Sequence, residues 1–280
     1  MTTNSASNAF NVQSAIVWAQ LVEAAYTYFD RNRHNVDPNP PQADALPTGW
    51  HVLANLRVKE VLGLFKEQEL IGFIVQSDTD PEHLGIVFRG TDGVMDWVED
   101  LEFRMEPFTL IPNGGKTERG FTNVYESVLV EKPGDPSATP QTLDQFLETL
   151  HLEPYNAERV TVTGHSLGGA VAILAAVGLA SKQPDLNLEI YSFAAPRVGN
   201  SEFVSTYNAL VPNSFRVFNK PDLVPHVPPE LLGYGQVNMS FEVDSHDDPQ
   251  IKHSILAYHS ILTYITMLQR EAAALEQANS

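Results

Sequence analysis

A serine lies between two glycines in Gly164-His165-Ser166-Leu167-Gly168, a G-x-S-x-G pattern. A serine in this pattern can occupy a sharp turn between a strand and a helix, where its backbone is strained. The residues two positions away then come too close to tolerate a Cβ atom, which accounts for both glycines. The following helix would point its N-terminal N–H groups at an oxyanion developing beside the serine. The pattern therefore predicts Ser166 as a nucleophile in acyl transfer; the alternative is a glycine-rich turn between two core elements.

The residues on either side of this turn favour the nucleophile. Val160–Thr163 is a β-branched run typical of a buried strand, and Ala170–Ala180 is small and apolar, as in a helix packed on all sides. A strand before the serine and a helix after it are the context in which the pattern carries catalysis.

A serine nucleophile needs a general base, and the base needs a carboxylate that orients it. On an α/β sheet this carboxylate is expected just after a later strand, at the carboxyl edge where ligands bind. Asp222 follows the predicted strand Ser214–Phe218 and is flanked by prolines. We expect Asp222 to be the acid; the alternative is an ordinary turn aspartate.

Four histidines follow Asp222 in the chain. His226 is only four residues away and is badly placed to act from a separate loop. His246 lies in an acidic patch that could bind Ca²⁺, but nothing fixes the ligand spacing, which favours a solvated loop. His253 and His259 each open a copy of the same short repeat, His-Ser-Ile-Leu-x-Tyr. The residues alone leave both as candidate bases, or as ordinary histidines of a C-terminal helix.

A further stretch with chemical potential begins at Thr91, where a strand ends in Arg-Gly-Thr. In one interpretation Thr91 supplies a backbone N–H and a hydroxyl to an oxyanion, with a small apolar lid formed by Val94, Met95 and Trp97. In the other, the same residues are a loop that leads into an amphipathic helix reaching Leu101. The residues alone do not separate the two.

Alternating strand and helix patterns surround these residues. After the elbow we predict a strand at Leu188–Phe193, a helix at Phe203–Leu210 and the strand before Asp222. Such alternation implies right-handed βαβ crossovers and a largely parallel sheet flanked by helices. We expect one α/β domain spanning residues 1–280, since no clean domain boundary or long-period repeat is present.

Upstream of the elbow, the patterns predict three helices, a three-stranded meander, a surface loop and a linker. The helices are Val12–Phe29, Phe121–Leu129 and Leu143–Leu150, the strands lie around Trp50–Phe65, Ile71–Gln76 and Leu84–Phe88, the loop is Asn35–Pro47 and the linker is Glu131–Pro140.

Composition excludes several classes of function. The net charge of −18 argues against nucleic-acid binding, which needs clustered Lys and Arg. The absence of cysteine removes disulfides, thiolate metal sites and a cysteine nucleophile. No apolar run approaches the length of a transmembrane span. The first residues lack a signal-peptide pattern, so we expect a cytoplasmic protein, or one secreted after leader removal or by another route.

Five motifs together resemble the class 3 lipase family, the fungal-type triacylglycerol lipases and their bacterial relatives. They are Val87-Phe-Arg-Gly-Thr91, Asp96-Trp-Val-Glu-Asp-Leu101, Gly164-His-Ser-Leu-Gly-Gly-Ala170, Phe193-Ala-Ala-Pro-Arg-Val-Gly-Asn200 and Asp222-Leu-Val-Pro-His-Val-Pro-Pro229.

The resemblance implies an α/β-hydrolase fold with a short lid, and hydrolysis of carboxylic esters. It implies Ser166 as nucleophile, Asp222 as acid and His259, which opens the last helix, as base in preference to His253. It also implies oxyanion N–H groups from Thr91 and Leu167. Two further roles come from it: Asp100 would orient the oxyanion hydroxyl, and Val94 to Trp97 would match the lid.

The sequence departs from the family at two points. Glu118 stands where members often carry a histidine before the Gly-Phe of a lid-facing segment, and the disulfides of the fungal members are absent. The second departure fits a bacterial-type relative.

We therefore expect a serine carboxylic-ester hydrolase, a triacylglycerol lipase working through a Ser-His-Asp triad and an acyl-enzyme. Its substrate would be an acylglycerol or other ester, a lipid–water interface is a partner that this interpretation allows, and no metal or organic cofactor is needed. The alternatives are a soluble-ester or feruloyl-type esterase, and a non-catalytic scaffold that binds a ligand or partner.

Overall fold

The computed structural model describes residues 9–32, 46–58, 69–91, 93, 103–135, 138–237 and 239–279. Residues 35–45, which make up most of the predicted surface loop, lie outside these ranges. So do the predicted lid and Asp100.

In the described chain a first helix is followed by a run of strands, and helices are interspersed with strands from Arg119 to Asn219. The helices are α1 (Val12–Asn32), α2 (Arg119–Ser127), α3 (Leu143–Thr149), α4 (Leu167–Lys182), α5 (Ser201–Leu210), α6 (Ile255–His259) and α7 (Ile261–Asn279). The strands are β1 (Trp50–Val58), β2 (Glu69–Ser77), β3 (His83–Phe88), β4 (Met105–Pro107), β5 (Lys116–Glu118), β6 (Val128–Glu131), β7 (Gln141–Thr142), β8 (Arg159–His165), β9 (Asn187–Phe193), β10 (Gly199–Asn200), β11 (Ser214–Asn219), β12 (Tyr234–Gly235) and β13 (Ser240–Val243).

The large sheet has the strand order β13-β11-β9-β8-β3-β2-β1-β6-β7. From β13 to β3 neighbouring strands are parallel, with Ile86 opposite Val162 and Val162 opposite Ile190. From β3 to β7 they are antiparallel, because β1, β2 and β3 form the predicted meander. Helix α4 connects β8 to β9 and α5 connects β9 to β11, as the alternating pattern predicts. The predicted α/β fold is confirmed.

Each face of the sheet buries its own apolar layer. Side chains alternate along a strand, so Ile86 packs on one face with α4 while Val87 packs on the other with α1. Helix α4 is buried from Leu167 to Ala180, because the sheet lies beneath it and α2 and α3 cover it. Burying one such aliphatic side chain contributes roughly 1.5–3 kcal/mol, so this layer fixes the helix that follows Ser166.

One local prediction was wrong and one feature was not predicted. The helix predicted to reach Leu129 ends at Ser127, and Val128–Glu131 forms β6, in which Val130 pairs with Leu56 of the sheet. The reason is tertiary: the segment Val128-Leu129-Val130 pairs with β1 and gains ladder hydrogen bonds that a further helical turn would not provide. A second sheet, β12-β10-β5-β4, was not predicted because its strands are only two or three residues long.

No helix in the described ranges combines the length and apolar character that a bilayer crossing requires.

Candidate active site

Ser166 lies on the turn between β8 and α4 with φ +59° and ψ −128°. A positive φ is unfavourable for a residue with a Cβ atom and costs on the order of 1–3 kcal/mol. The Ser166 N–H donates to the carbonyl of Phe193 at 2.9 Å, which fixes the turn against β9. The backbone of Ser166 thus has the strained conformation expected of a nucleophile elbow.

The glycines around Ser166 are required by close backbone approach. A Cβ atom on Gly164 would lie 2.2 Å from the carbonyl oxygen of Gly168. A Cβ atom on Gly168 would lie 2.3 Å from the carbonyl oxygen of Arg89. The first contact closes the elbow on itself, and the second presses the start of α4 against the end of β3.

Asp222 and His259 form a direct contact. His259 Nδ1 lies 2.8 Å from Asp222 Oδ2 and 3.1 Å from Oδ1, and both side chains are buried. The remaining capacity of the carboxylate is used by the Tyr264 hydroxyl, which donates at 2.8 Å, and by the Val224 N–H, which donates at 3.0 Å. Burial and then the neighbouring Asp222 carboxylate raise the pKa of Tyr264 well above its usual range, so this hydroxyl keeps its proton.

Asn219 connects the Asp222 loop to the segment that carries His259. Its N–H donates to the Tyr264 hydroxyl at 2.9 Å, and its side-chain amide donates to the carbonyl of Tyr258, the residue before His259, at 2.8 Å. The same amide donates to Ser245 Oγ at 2.8 Å. One side chain therefore holds the end of β11, the Ser245 loop and α6 together.

The other downstream histidines lie elsewhere. His253 is exposed and its Nδ1 lies 2.7 Å from the Tyr258 hydroxyl, with the His246 ring 5.6 Å away. His226 is exposed, and its carbonyl accepts from Arg197. The structure brings His259, and not His253, to Asp222.

The acidic patch around His246 is engaged in ion pairs. Asp244 pairs with Lys220 at 3.0 Å and Asp248 pairs with Arg270. Within the described part of the chain, no group of three or more His, Cys, Asp or Glu side chains is arranged to hold a metal ion.

Ser166 Oγ and His259 Nε2 are both buried, and neither has a hydrogen-bond partner among the described residues. Their elements are adjacent, since the ring of His165 packs on the ring of His259 with centroids 4.7 Å apart. These are the two atoms that a serine hydrolase must bring together for proton transfer, and this contact is often long before substrate binds.

The end of β3 packs directly against the elbow. A Cβ atom on Gly90 would lie 2.9 Å from Ser166 Cβ, so Thr91 follows immediately beside the serine. Among the described residues, no acceptor contacts the backbone N–H of Thr91 or of Leu167. The predicted supporting Asp100 and lid residues Val94, Met95 and Trp97 lie outside the described residues.

A buried arginine, Arg89, holds the segment of Gly90 and Thr91. Arg89 donates to the carbonyls of Gly90 at 2.6 Å and Leu70 at 2.8 Å and pairs with Glu69 at 2.5 Å. Its guanidinium also lies 3.5 Å from the centroid of the Phe29 ring. The sequence signal for Arg89 is the Arg-Gly-Thr motif, but its role as an anchor required the structure.

Tyr26 and His165 form a second network that sequence reasoning missed. The Gly90 N–H donates to the Tyr26 hydroxyl at 2.8 Å, and this hydroxyl lies 2.8 Å from His165 Nδ1. His165 Nε2 lies 2.7 Å from the carbonyl of His259. Burial and then the nearby His259 lower the pKa of His165 well below its usual range, so the ring is neutral.

The tautomer of His165 follows from these contacts. A carbonyl can only accept, so the single ring proton is on Nε2, and Nδ1 accepts from the Tyr26 hydroxyl. Through Tyr26 on α1, the network thus links Gly90 to His165 of the elbow and to the backbone of His259. No local pattern could reveal it, because Tyr26 and His165 are 139 residues apart.

Arg197 holds the loop after Asp222. It donates to the carbonyls of His226 and Pro228, the latter at 3.0 Å, and pairs with Glu230 at 2.8 Å. Its own N–H donates to the carbonyl of Val227 at 2.8 Å. Here a sequence signal existed, since Arg197 lies in one of the five motifs.

The departure at Glu118 has a structural role. Its buried carboxylate accepts the N–H of Phe121 at 2.9 Å and caps the N-terminus of α2.

A cavity of about 300 Å³ opens beside His259. It is lined by His259, His165 and Thr91, by polar residues of α1, and by apolar residues that flank His259. Leu256 and Leu262, at its border, are 63% and 58% exposed. The site therefore combines a serine on a strained turn, a carboxylate-paired histidine and a cavity lined by that histidine and Thr91.

Comparisons with known proteins agree with this arrangement. The profile of the family described as "Lipase (class 3)" matches residues 85–232, more than half of the chain. A lipase from Rhizopus niveus is 30% identical over 209 residues, which cover 70% of this chain and 50% of the relative. "Phospholipase A1-II 1" from Oryza sativa subsp. indica is 28% identical over 291 residues, covering 89% of this chain and 74% of the relative.

A solved structure of a Rhizomucor miehei lipase propeptide complex superposes with a TM-score of 0.66 at 22% identity, covering 92% of this chain and 82% of that one. The predicted α/β-hydrolase fold is confirmed by this likeness. The chain spans about half the length of the Rhizopus relatives that it matches. The profile match and the order of the five motifs confirm the resemblance drawn from the sequence, and the chain belongs to the class 3 lipase family.

Proposed function

We propose that this protein is a serine carboxylic-ester hydrolase, specifically a triacylglycerol lipase, with Ser166 as nucleophile, His259 as base and Asp222 as acid. The observation that carries the proposal is the contact of His259 Nδ1 with Asp222 at 2.8 Å, which leaves Nε2 buried and, within the described part of the chain, without a partner. Asp222 holds the ring in the tautomer that can accept a proton at Nε2.

Acylation begins when Ser166 Oγ attacks the ester carbonyl carbon and its proton moves to His259 Nε2. The carbonyl π electrons become the lone pair of an oxyanion, which the N–H groups of Thr91 and Leu167 stabilise. Each such donor is typically worth about 3 kcal/mol in the transition state. The C–O bond to the alcohol then breaks, and His259 Nε2–H protonates the leaving oxygen.

Deacylation repeats the same proton transfers with water. His259 Nε2 removes a proton from water as the water oxygen attacks the acyl carbon, and a second oxyanion forms in the same place. The bond between the acyl carbon and Ser166 Oγ breaks, the serine recovers its proton from His259, and a carboxylic acid leaves. No step needs a metal or an organic cofactor.

An acylglycerol substrate is supported by the surface around the cavity. Leu256 and Leu262 expose most of their side chains at its border, and Ile255, beside Leu256 on α6, is 38% exposed. Such apolar exposure next to a site favours contact with acyl chains or a lipid–water interface. The family and the Rhizopus niveus relative named a lipase point to the same substrate class. From the resemblance, we further propose Asp100 as the oxyanion support and Val94, Met95 and Trp97 as a lid.

Hydrolysis of a triacylglycerol measured across its solubility limit tests the proposal, with Ser166→Ala as the matched inactive variant. We expect activity that rises sharply once droplets form and is absent in the variant. Saturation below the solubility limit with no further rise would instead identify a soluble-ester esterase. Equal rates in both proteins would remove Ser166 from the chemistry and favour a non-catalytic scaffold.

A phospholipase A1 activity is the second candidate, because the rice relative of that name matches 89% of this chain. Release of fatty acid from the sn-1 position of phosphatidylcholine, measured beside the triacylglycerol, separates the two. A higher kcat/KM for the phospholipid would favour this candidate.

A further inference from the structure

The cavity beside the base lies where an alcohol must leave. His259 is buried and its unpartnered Nε2 is the atom that protonates the departing oxygen in the proposed mechanism. In that mechanism the alcohol leaves beside this ring, and a cavity of about 300 Å³ is lined by His259 and Thr91. A volume of this size suits the polar part of an alcohol, such as a glycerol or head group, rather than a whole long acyl chain.

One wall of this cavity comes from α1 and is acidic. Glu23, Tyr26, Thr27 and Asp30 line it and share one helix face, since they are spaced at i, i+3, i+4 and i+7. Glu23 is partly buried, and the Thr27 hydroxyl donates to its Oε1 at 3.0 Å, which holds the carboxylate on this face.

Cations are absent from the same wall within the described residues. No Lys or Arg of the described chain lines the cavity or forms an ion pair with Glu23. The other lining residues are His165, His259, Thr91, Ser260 and apolar side chains, and burial and then the nearby His259 lower the pKa of His165. An alcohol in the cavity therefore faces a negative charge.

We propose that this cavity receives the leaving alcohol and that the Glu23 carboxylate selects alcohols that are positively charged or neutral over anionic ones. The inference rests on the proposed ester hydrolase function and adds the substrate class at its alcohol side. A partly buried carboxylate acts across a lower effective dielectric than bulk water, so its attraction for an ammonium group and its repulsion of a sulfonate are both felt in binding.

Three soluble butyrate esters with the same acyl group provide the test. Their alcohols are choline, which is cationic, its neutral carbon isostere 3,3-dimethylbutanol, and isethionate, which is anionic. All are used below their solubility limits, so attraction or repulsion at a lipid surface plays no part. Because the three alcohols differ in intrinsic reactivity, the ratios of kcat/KM are compared between the wild type and Glu23→Gln.

We expect Glu23→Gln to lower the choline-to-isostere ratio by about three- to tenfold and to raise the isethionate-to-isostere ratio by a similar factor, as for one charge acting at close range in a partly exposed site. Glu23→Asp, which keeps the charge, should retain most of the wild-type ratios. The matched control is Glu202→Gln on α5, an exposed carboxylate outside the cavity, which removes the same net charge.

Unchanged ratios in Glu23→Gln would overturn the inference, as would equal changes in Glu202→Gln, which would indicate the field of the whole protein. Failure of the proposed function looks different: Ser166→Ala would then hydrolyse all three esters as fast as the wild type.

Discussion

The nucleophile side and the base side of the site are held in different ways. Ser166 is fixed by backbone packing, with Gly164 and Gly168 allowing three main-chain segments to meet within van der Waals contact. His259 is fixed by its contact with Asp222, whose carboxylate also accepts from Tyr264, and by the hydrogen bond of Asn219 to the neighbouring Tyr258 carbonyl. The first arrangement is local in sequence, and the second is assembled by the fold.

This difference affects how each side fails. Backbone contacts at the elbow cannot relax around an added atom, so a small change there should cost stability as well as activity. Removal of one side chain from the hydrogen-bond network should leave the protein folded, but the His259 imidazole can then adopt another tautomer or orientation. Mutations should therefore separate stability from catalysis on the two sides.

The largest effect on catalysis alone is expected from Asp222→Asn. The amide keeps the size of the carboxylate but favours the wrong tautomer of His259, so we expect kcat to fall about 10⁴-fold. Thermal unfolding should show a folded protein. Asp244→Asn, which loses only an ion pair with Lys220, is the control and should change kcat less than twofold. A loss below tenfold in Asp222→Asn would contradict the assignment.

The elbow should respond through stability. Gly168→Ala places a Cβ atom 2.3 Å from the Arg89 carbonyl oxygen, and we expect a loss of about 3–5 kcal/mol in the free energy of unfolding, measured with urea. Gly178→Ala in the same helix is the matched control, because its Cβ atom meets only the Tyr125 hydroxyl at 3.1 Å. That variant should stay within about 1 kcal/mol of the wild type. Similar values for both would refute the packing argument.

A single donor in the base network can be removed by Tyr264→Phe. Asp222 then loses a hydrogen bond to its charge, for which we expect a 10- to 30-fold lower kcat, equivalent to about 1.5–2 kcal/mol. KM should change little, since Tyr264 does not line the cavity. Tyr258→Phe serves as the comparison. It removes a hydroxyl that contacts His253, and it should retain wild-type kcat.

The smallest effect is expected on stability, from His83 at the start of β3, which contacts neither Ser166 nor His259. Burial and the nearby Arg159 lower the pKa of His83 to about 4. Below its ordinary value of about 6.5 the unfolded chain binds the proton more readily, so this group reduces stability as pH falls from 6.5 towards 4. Between pH 7 and 5.5 we expect a loss of about 1 kcal/mol that is absent in His83→Asn.

Urea unfolding at the two pH values measures this contribution, with the exposed His151→Asn as control. An unchanged pH dependence in His83→Asn would show that acid destabilisation arises elsewhere.

The same division explains what could be predicted from the sequence. Strand β8, the elbow and α4 were predicted because β-branched, glycine and small apolar residues follow one another within a single stretch. Asp222 was predicted as a candidate because it follows a strand at the carboxyl edge. The choice between His253 and His259 was not determined by the residues, since both open the same short repeat, and it rested on the resemblance.

What the sequence lacked were the contacts between layers. Tyr26 on α1 carries no motif, yet its hydroxyl joins Gly90 to His165. Asn219 resembles any residue at a strand end until the Ser245 loop and α6 pack on it. The short strands β4, β5, β10 and β12 have too few residues for a period to be detected, and their pairing depends on the chain around them.

Covalent labelling of Ser166 by a fluorophosphonate ester, mapped by mass spectrometry, tests the central claim most directly. The second-order rate constant would be measured for the wild type, His259→Ala and His253→Ala. The account predicts modification at Ser166, a rate reduced by at least 10³-fold in His259→Ala, and a rate within twofold of wild type in His253→Ala. Modification at another residue, or a loss confined to His253→Ala, would contradict it.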